Sequence, residues 1–347
     1  MIVYQNKTID KVYYGNKRIR EVWLGGRKIV GEVFKQVNVK DNYSNSKPLV
    51  LKGSDILRPS DTGTVVVETG ITDAYGSYAI QDGSIYQLHS TAGIQGDPLP
   101  IGYSWSSLYA TGEWYEVFSW TDAITRSCFL GKRNGVVVFG FRINYTQHFF
   151  QVPDGTVKVT AFDELFEGIR VLALNTSGTL MCGSLKKNDD NNNPYSCVWT
   201  VASEDVIDIQ ENMFLTSDGA VFMNYWGENF PQGVFDTGVR LYPGGHFIHD
   251  GHLYNVSLNG GEDNLSTTLH KSTETGFTSA SAYFALKNGT LWDASDVENM
   301  TMFPDLPSNF IELSGSVART SDDRIFYLTK IDDVKTVIEM STEVSNA

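Results

Sequence analysis

The chain has 347 residues, is 41% hydrophobic and 12% aromatic, and carries a net charge of −14. This supplies a sizeable core and excludes wholesale disorder, while the acid excess opposes nonspecific nucleic-acid binding. No apolar run nears the ~20 residues of a membrane span, and the start, MIVYQNKTIDK, offers no apolar stretch for a signal peptide.

The first thirty residues are three copies of one unit: MIVYQNKTID, KVYYGNKRIR and EVWLGGRKIV. They align without a gap. Ile2, Val12 and Val22 share a column, as do Lys7, Lys17 and Arg27, and Ile9, Ile19 and Ile29. Each unit predicts a short strand, a two-residue turn at Gln5-Asn6, Gly15-Asn16 or Gly25-Gly26, and a return strand. So short a segment cannot bury enough surface to fold alone. It either packs on the next domain as a small meander or docks on a partner. Its charge is +5, so the rest of the chain carries −19, and a basic head on an acidic body implies two jobs. Residues 1–32 are thus a β-repeat module. Residues 33–48 are a polar linker with one strand near Val33–Val39, and residues 49–347 form the main domain.

That domain opens a longer repeat. Seven apolar hairpins turn on Gly83, Gly135, Gly178, Gly219, Gly251, Gly289 and Asp323, mostly as Asp-Gly or Asn-Gly. Two positions on stand Ile85, Val137, Leu180, Val221, Leu253, Leu291 and Ile325, aliphatic in every copy. Turn spacings of 32 to 52 residues bracket the ~40–50 residues of a propeller blade. The fold class is therefore all-β, a seven-bladed β-propeller behind the N-terminal module. Further strands are expected at Val157–Phe162, Val206–Gln210, Val239–Tyr242 and Phe310–Leu313. Leu49–Leu57 and Thr336–Met340 are candidates to close the ring.

Two resemblances follow. Ala285-Leu286-Lys287-Asn288-Gly289-Thr290-Leu291-Trp292 and its counterparts at Ala173–Leu180 and Val136–Gly140 resemble the propeller repeats of the regulator of chromosome condensation family. Most blades lack that family's second glycine, so its functions do not carry over. The units Lys11–Ile19 and Glu21–Gly25 are similar to stretches of bacteriophage fibre, baseplate and minor structural proteins. That resemblance covers residues 1–30. It implies a virion protein made in the bacterial cytoplasm, anchored through Tyr4, Tyr13, Tyr14, Trp23, Leu24, Lys17 and Arg27.

Other chemistry is sparse. Cys128, Cys182 and Cys197 are odd in number and irregularly spaced, which predicts reduced thiols and no metal pair. His249 and His252 flank the Asp250-Gly251 turn, so they face each other across paired strands, with no third ligand evident. His246 points to the other face. The loop 186–195 lacks the spacing of an EF-hand. No nucleophile elbow, HExxH, P-loop or dinucleotide fingerprint is present, although a glycosidase carboxylate pair is defined in space and leaves no such motif. Aromatics crowd the stretch 94–120. Tyr103, Trp105, Tyr109 and Trp114 are either blade core or contacts for a glycan or receptor.

The functional expectation is a non-enzymatic virion protein, such as a fibre, neck or baseplate appendage, without cofactor or metal. Its partners would be other virion proteins through the N-terminus and a host-surface glycan or protein through the propeller, as a homo-oligomer, a trimer by analogy with fibres. The alternatives are a propeller polysaccharide hydrolase or lyase, which a carboxylate pair in the channel would mark, and an intracellular interaction propeller, which the acidic body disfavours.

Overall fold

The computed structural model describes side chains at residues 33–37, 48–60, 64–89, 93–94, 96–99, 104–109, 128–140, 148–162, 170–185, 195–225, 227–235, 238–260, 265–329 and 334–340, and the main chain throughout the strands named below. Eight antiparallel sheets follow one another along the chain. Blade 1 is Phe34–Val37, Leu49–Lys52, Asp55–Ser60 and Gly63–Glu68; blade 2 is Ile71–Tyr75, Tyr78–Gln81, Ser84–His89 and Gly93–Ile94. Blade 3 is Trp105–Ser119, Asp122–Arg133, Val136–Ile143 and Thr146–Gln151; blade 4 is Thr156–Glu164, Gly168–Asn175, Leu180–Lys187 and Tyr195–Ser203. Blade 5 is Val206–Gln210, Met213–Thr216, Ala220–Tyr225 and Glu228–Val234; blade 6 is Arg240–Tyr242, His246–His249, His252–Asn259 and Ser266–Lys271. Blade 7 is Phe277–Ala280, Phe284–Lys287 and Thr290–Asp293, with a Trp292–Met302 bridge in place of a fourth strand. Blade 8 is Phe310–Ser314, Val317–Thr320, Ile325–Ile331 and Val334–Met340.

The core is the set of interfaces between neighbouring blades. Strand alternation divides each blade's apolar residues between two neighbours. In blade 1, Leu49 and Leu51 pack on Ile71 and Ala79 of blade 2, while Val50 packs on Val317 and Ile325 of blade 8. In blade 4, Val171 and Ala173 face Leu130 and Phe139 of blade 3, and Leu172 and Leu174 face Ile209 and Phe214 of blade 5. First strands of neighbouring blades lie against each other around most of the ring, which puts them at its axis. The second-to-third-strand turns therefore share one rim with the starts of the first strands. This rim is the turn face; the other is the loop face.

The ring has eight blades, not the seven expected. All seven sequence hairpins are the second and third strands of blades 2 to 8. The missed hairpin turns on Gly53-Ser54, where glycine precedes the polar residue and so breaks the Asp-Gly register. Leu49–Leu57, expected as a closing segment, holds this hairpin. The strand placed in the linker, Phe34–Val37, pairs with Leu49–Lys52 as the first strand of blade 1. Thr336–Met340 belongs to blade 8's outer strand and closes nothing; Val344–Asn346 instead adds in parallel to Thr64–Val66 of blade 1.

A main-chain bond recurs between blades on the turn face. The N–H that opens a first strand donates to the carbonyl of the preceding blade's turn: Ile71 to Ser54, Trp105 to Gly83, Val206 to Gly178, Phe277 to Gly251 and Phe310 to Gly289, at 2.8–3.0 Å. The turn glycines therefore serve close approach as well as positive φ. A Cβ on Gly289 would overlap the Ser308 carbonyl.

The N-terminal units are three two-stranded hairpins, Ile2–Tyr4 with Lys7–Ile9, Val12–Tyr14 with Lys17–Ile19, and Val22–Leu24 with Arg27–Val30. The side chains of Tyr4, Tyr13, Tyr14, Lys17, Trp23, Leu24 and Arg27 lie outside the described residues.

Candidate functional site

Of the two readings open for the aromatic stretch, core or contact, the described residues take the first. Trp105 opens the first strand of blade 3 in the position Ile71 and Val206 hold in theirs. It is 2% exposed, packed with Ile80, Ile85 and Phe129. Tyr109 packs on the core between blades 3 and 4. Neither is a free receptor contact. Both rings follow the apolar spacing of a first strand, and that demand outranks display. Tyr103 lies outside the described residues. Trp114 lies on an arm of the blade 3 hairpin where Gly112–Val117 pairs with Ala123–Cys128. The third strand reaches only as far as Cys128, so the arm beyond it is two-stranded. Trp114's side chain is outside the described set.

The histidine cluster is better organised. Tight turning at Asp250-Gly251, both at positive φ, sets His249 opposite His252 as the spacing predicts. A cleft of about 390 Å³ opens there between blades 5 and 6, lined by Phe235, His249, Asp250, His252, Tyr254 and Lys271. Phe235 meets His249 edge-on at 5.3 Å and Tyr254 at 5.4 Å between ring centroids. Tyr254 stacks on Phe247 at 4.7 Å. The Lys271 ammonium sits 5.6 Å from the Tyr254 ring centre. His252 Nδ1 lies 3.0 Å from the Ser272 carbonyl, which makes Nδ1 the donor and leaves Nε2 as an acceptor. His249 Nε2 is buried without a hydrogen-bond partner, 3.8 Å from the exposed Asp250 carboxylate. The walls are aromatic and the polar groups are donors and acceptors of both signs, a combination suited to holding a small polar ring. Among the described residues no three His, Cys, Asp or Glu side chains are grouped to hold a metal ion. Sequence reading found the histidine pair and missed Phe235 and Lys271. Lys271 comes in through the fourth strand, opposite Tyr254, and Phe235 from the neighbouring blade.

His246 faces the other way, as expected, and is structural. Its ring nitrogens lie 3.1 Å from the Pro243 carbonyl and 3.2 Å from the Ala294 carbonyl, tying blade 6 to blade 7. Burial pulls its pKa below the usual imidazole value, opposed by those two carbonyls. Glu211 accepts the Gly244 N–H at 2.8 Å and ties blade 5 to blade 6. Burial raises its pKa, and that bond partly offsets the rise. Near the axis, Lys158 pairs with Asp208 at 2.6 Å and Lys35 with Asp73 at 3.5 Å. Desolvation lowers the Lys35 pKa, and Asp73 opposes it. Cys128 and Cys182 are buried free thiols; desolvation, then Cys182, pushes the Cys197 thiol up to about 12. These groups are spent on joining blades or sit unreactive in the core. Residues 188–194 of the polar loop lie outside the described residues.

No family model matches the chain, and no curated protein does. Two solved structures are similar to it at low level. One is described as BBS1N in complex with ARL6DN, soaked with lead: 10% identity, 90% of this chain and 92% of that chain covered, TM-score 0.38. The other is the same complex soaked with mercury: 10% identity, 87% and 86% covered, TM-score 0.36. Likeness at that level carries no argument about partners, and the propeller stands on the sheets themselves.

Proposed function

We propose that the chain is a non-enzymatic display protein of a bacteriophage virion. Its basic ten-residue repeat tethers it to the particle, and the propeller offers the cleft between blades 5 and 6 to a host-surface glycan. The observation that supports this reading is a division of parts. The strands at Phe34–Val37 and Val344–Asn346 both belong to blade 1, so the ring's hydrogen bonding closes without residues 1–32. The repeat is thus an appendage on a finished ring, and rigid rings carry recognition on their turns and clefts. Its likeness to phage structural segments adds the virion context. Lys271 would donate to a sugar hydroxyl or carboxylate and His252 Nε2 would accept from a sugar hydroxyl, with Phe235 as the apolar wall.

The test pairs mass photometry with a bacterial-surface glycan array. The reading expects full-length protein to self-associate, as a trimer, and residues 33–347 to stay monomeric with glycan binding intact. His252→Ala with Lys271→Ala should weaken that binding at least ~10-fold, equivalent to ~1.4 kcal/mol. Unchanged binding removes the cleft from the reading. Monomers in both forms remove the self-assembly, and cleavage of the bound glycan would replace an adhesin by a polysaccharide hydrolase or lyase.

A further inference from the structure

The exposed large apolar side chains of the described ring are unevenly spread. Seven of nine, Val33, Val136, Val157, Val201, Ile207, Val234 and Ile311, stand at strand ends on the turn face, between 41% (Val33, Val136) and 73% (Val234) exposed; Met302 and the loop-face Val334 are the other two. Five of these, Val136, Val157, Val201, Ile207 and Val234, occupy consecutive blades 3 to 5.

Their origin is a repeated irregularity. Where a first strand begins, the ladder skips one residue, a bulge that turns that side chain away from the sheet. Skipped residues are Thr72 in blade 2, Ser106 in blade 3, Val157 in blade 4, Ile207 in blade 5, Thr278 in blade 7 and Ile311 in blade 8. The fold accepts a polar residue there, as Thr72, Ser106 and Thr278 demonstrate. Valine and isoleucine at Val157 and Ile207 are therefore not required by the blade, and they sit side by side on adjoining first strands. Around them stand the exposed acids Asp154, Glu204, Asp205 and Asp218. Arg133 stands opposite Val136 and Lys158 beside Val157, but the exposed acids gather at blades 4 and 5, and an apolar patch edged by carboxylates there suits a partner that is both aromatic and basic.

We infer that the occupant is the chain's own N-terminal repeat, held in cis across the turn face of blades 3 to 5 in the dilute monomer, so that self-association through the repeat first requires its release. The chain leaves the ring on this face: the Val33 carbonyl accepts the N–H of Gly53, in blade 1's turn. Residues 1–30 carry +5 and bring Tyr4, Tyr13, Tyr14 and Trp23. At ~3.3 Å per extended residue their reach is at most on the order of 100 Å. Attachment to a particle would then require the repeat to be released. The inference stands apart from the virion reading, because cis docking and particle attachment are measured separately.

The experiment is zero-length carbodiimide cross-linking of the full chain at low salt, using an equal mixture of light and heavy-nitrogen protein, read by mass spectrometry. The expected links join Lys7, Lys11, Lys17 or Lys28 to Asp154, Glu204, Asp205 or Asp218 within one isotopic form. They should drop about fivefold or more near 0.5 M salt, where the Debye length is only a few Å. A comparable drop is expected in Val157→Lys with Ile207→Lys, whose exposed positions leave the fold intact, as circular dichroism would verify. Links between light and heavy chains would overturn cis docking in favour of a second copy. An absence of links to blades 3 to 5, or links confined to loop-face acids, would overturn it outright.

Discussion

Most seams of the ring join blades that follow one another in the chain, and one joins the last blade to the first. The two kinds are built differently. Between blades 7 and 8 a main-chain bond, from the Phe310 N–H to the Gly289 carbonyl at 3.0 Å, works beside side-chain contacts, Lys335 with Asp293 at 2.7 Å and Ser281 Oγ with the Gly315 carbonyl at 2.7 Å, over the shared core of Phe284, Leu291, Phe310 and Phe326. Between blades 8 and 1, no such bond links Asp323 to Phe34 among the described residues, and side chains take over. The Gln36 side-chain carbonyl accepts from the Ser316 N–H and hydroxyl, and the Gln36 N–H donates to Ser314 Oγ at 2.8 Å. Lys52 pairs with Asp323 at 2.6 Å, and the Arg319 guanidinium lies 5.0 Å from the Phe34 ring centre. A chain-connected seam has a covalent link and a recurring main-chain bond to help set its register. The closing seam has no linker and needs directional side chains to fix the match.

The largest expected effect contrasts two Asn-Gly turns of the same geometry. Gly289 and Gly135 have φ of 76° and 80°, but a Cβ on Gly289 meets the Ser308 carbonyl while one on Gly135 meets nothing within 4 Å. Gly135→Ala should cost ~1 kcal/mol, the left-handed backbone alone, and Gly289→Ala ~3 kcal/mol once overpacking is added. Urea unfolding compares them, and equal losses would remove the close-approach role of the turn glycine. At the closing seam, Gln36→Leu strips the partner from the Ser316 N–H and should cost ~2 kcal/mol. Limited proteolysis should then cut first near blades 1 and 8; cutting elsewhere would show that the seam does not depend on Gln36.

Acid should also find the turn of blade 8. Hydrogen bonds from Thr320, then Asn309, hold the Asp322 carboxyl down to about 2. A carboxylate whose folded pKa lies below its unfolded value of ~3.9 stabilises the fold above that pH, and the contribution fades as pH falls through the folded pKa. Asp322→Asn should therefore flatten the loss of stability between about pH 4 and pH 2 relative to the parent. Parallel curves would assign the acid sensitivity to other groups. The smallest effect belongs to Lys52 and Asp323. Asp323 is half-exposed, so their coupling should be only ~0.5 kcal/mol in a double-mutant cycle and shrink with salt.

The sequence made blades 2 to 8 legible because an Asp-Gly or Asn-Gly turn and the aliphatic residue two positions on recur in register. Blade 1 escaped because Gly53-Ser54 reverses the order of that signal. Trp105 stayed open between core and contact because a glycine- and aromatic-rich stretch looks like a loop until the bulged first strand that buries it is counted. The histidine pair was readable, since a two-residue turn fixes which residues face each other. Its cleft was not, since Phe235 and Lys271 come in from another blade and from a fourth strand whose register no local pattern specifies.

Amide hydrogen exchange on the full chain tests the closed eight-bladed ring most directly, at Phe34–Val37. The account predicts protection there equal to that of Ile71–Tyr75, the first strand of blade 2, because both are inner strands sealed by cores on either side. Exchange of Phe34–Val37 at coil rates, with Ile71–Tyr75 protected, would contradict it and leave seven blades and an open ring.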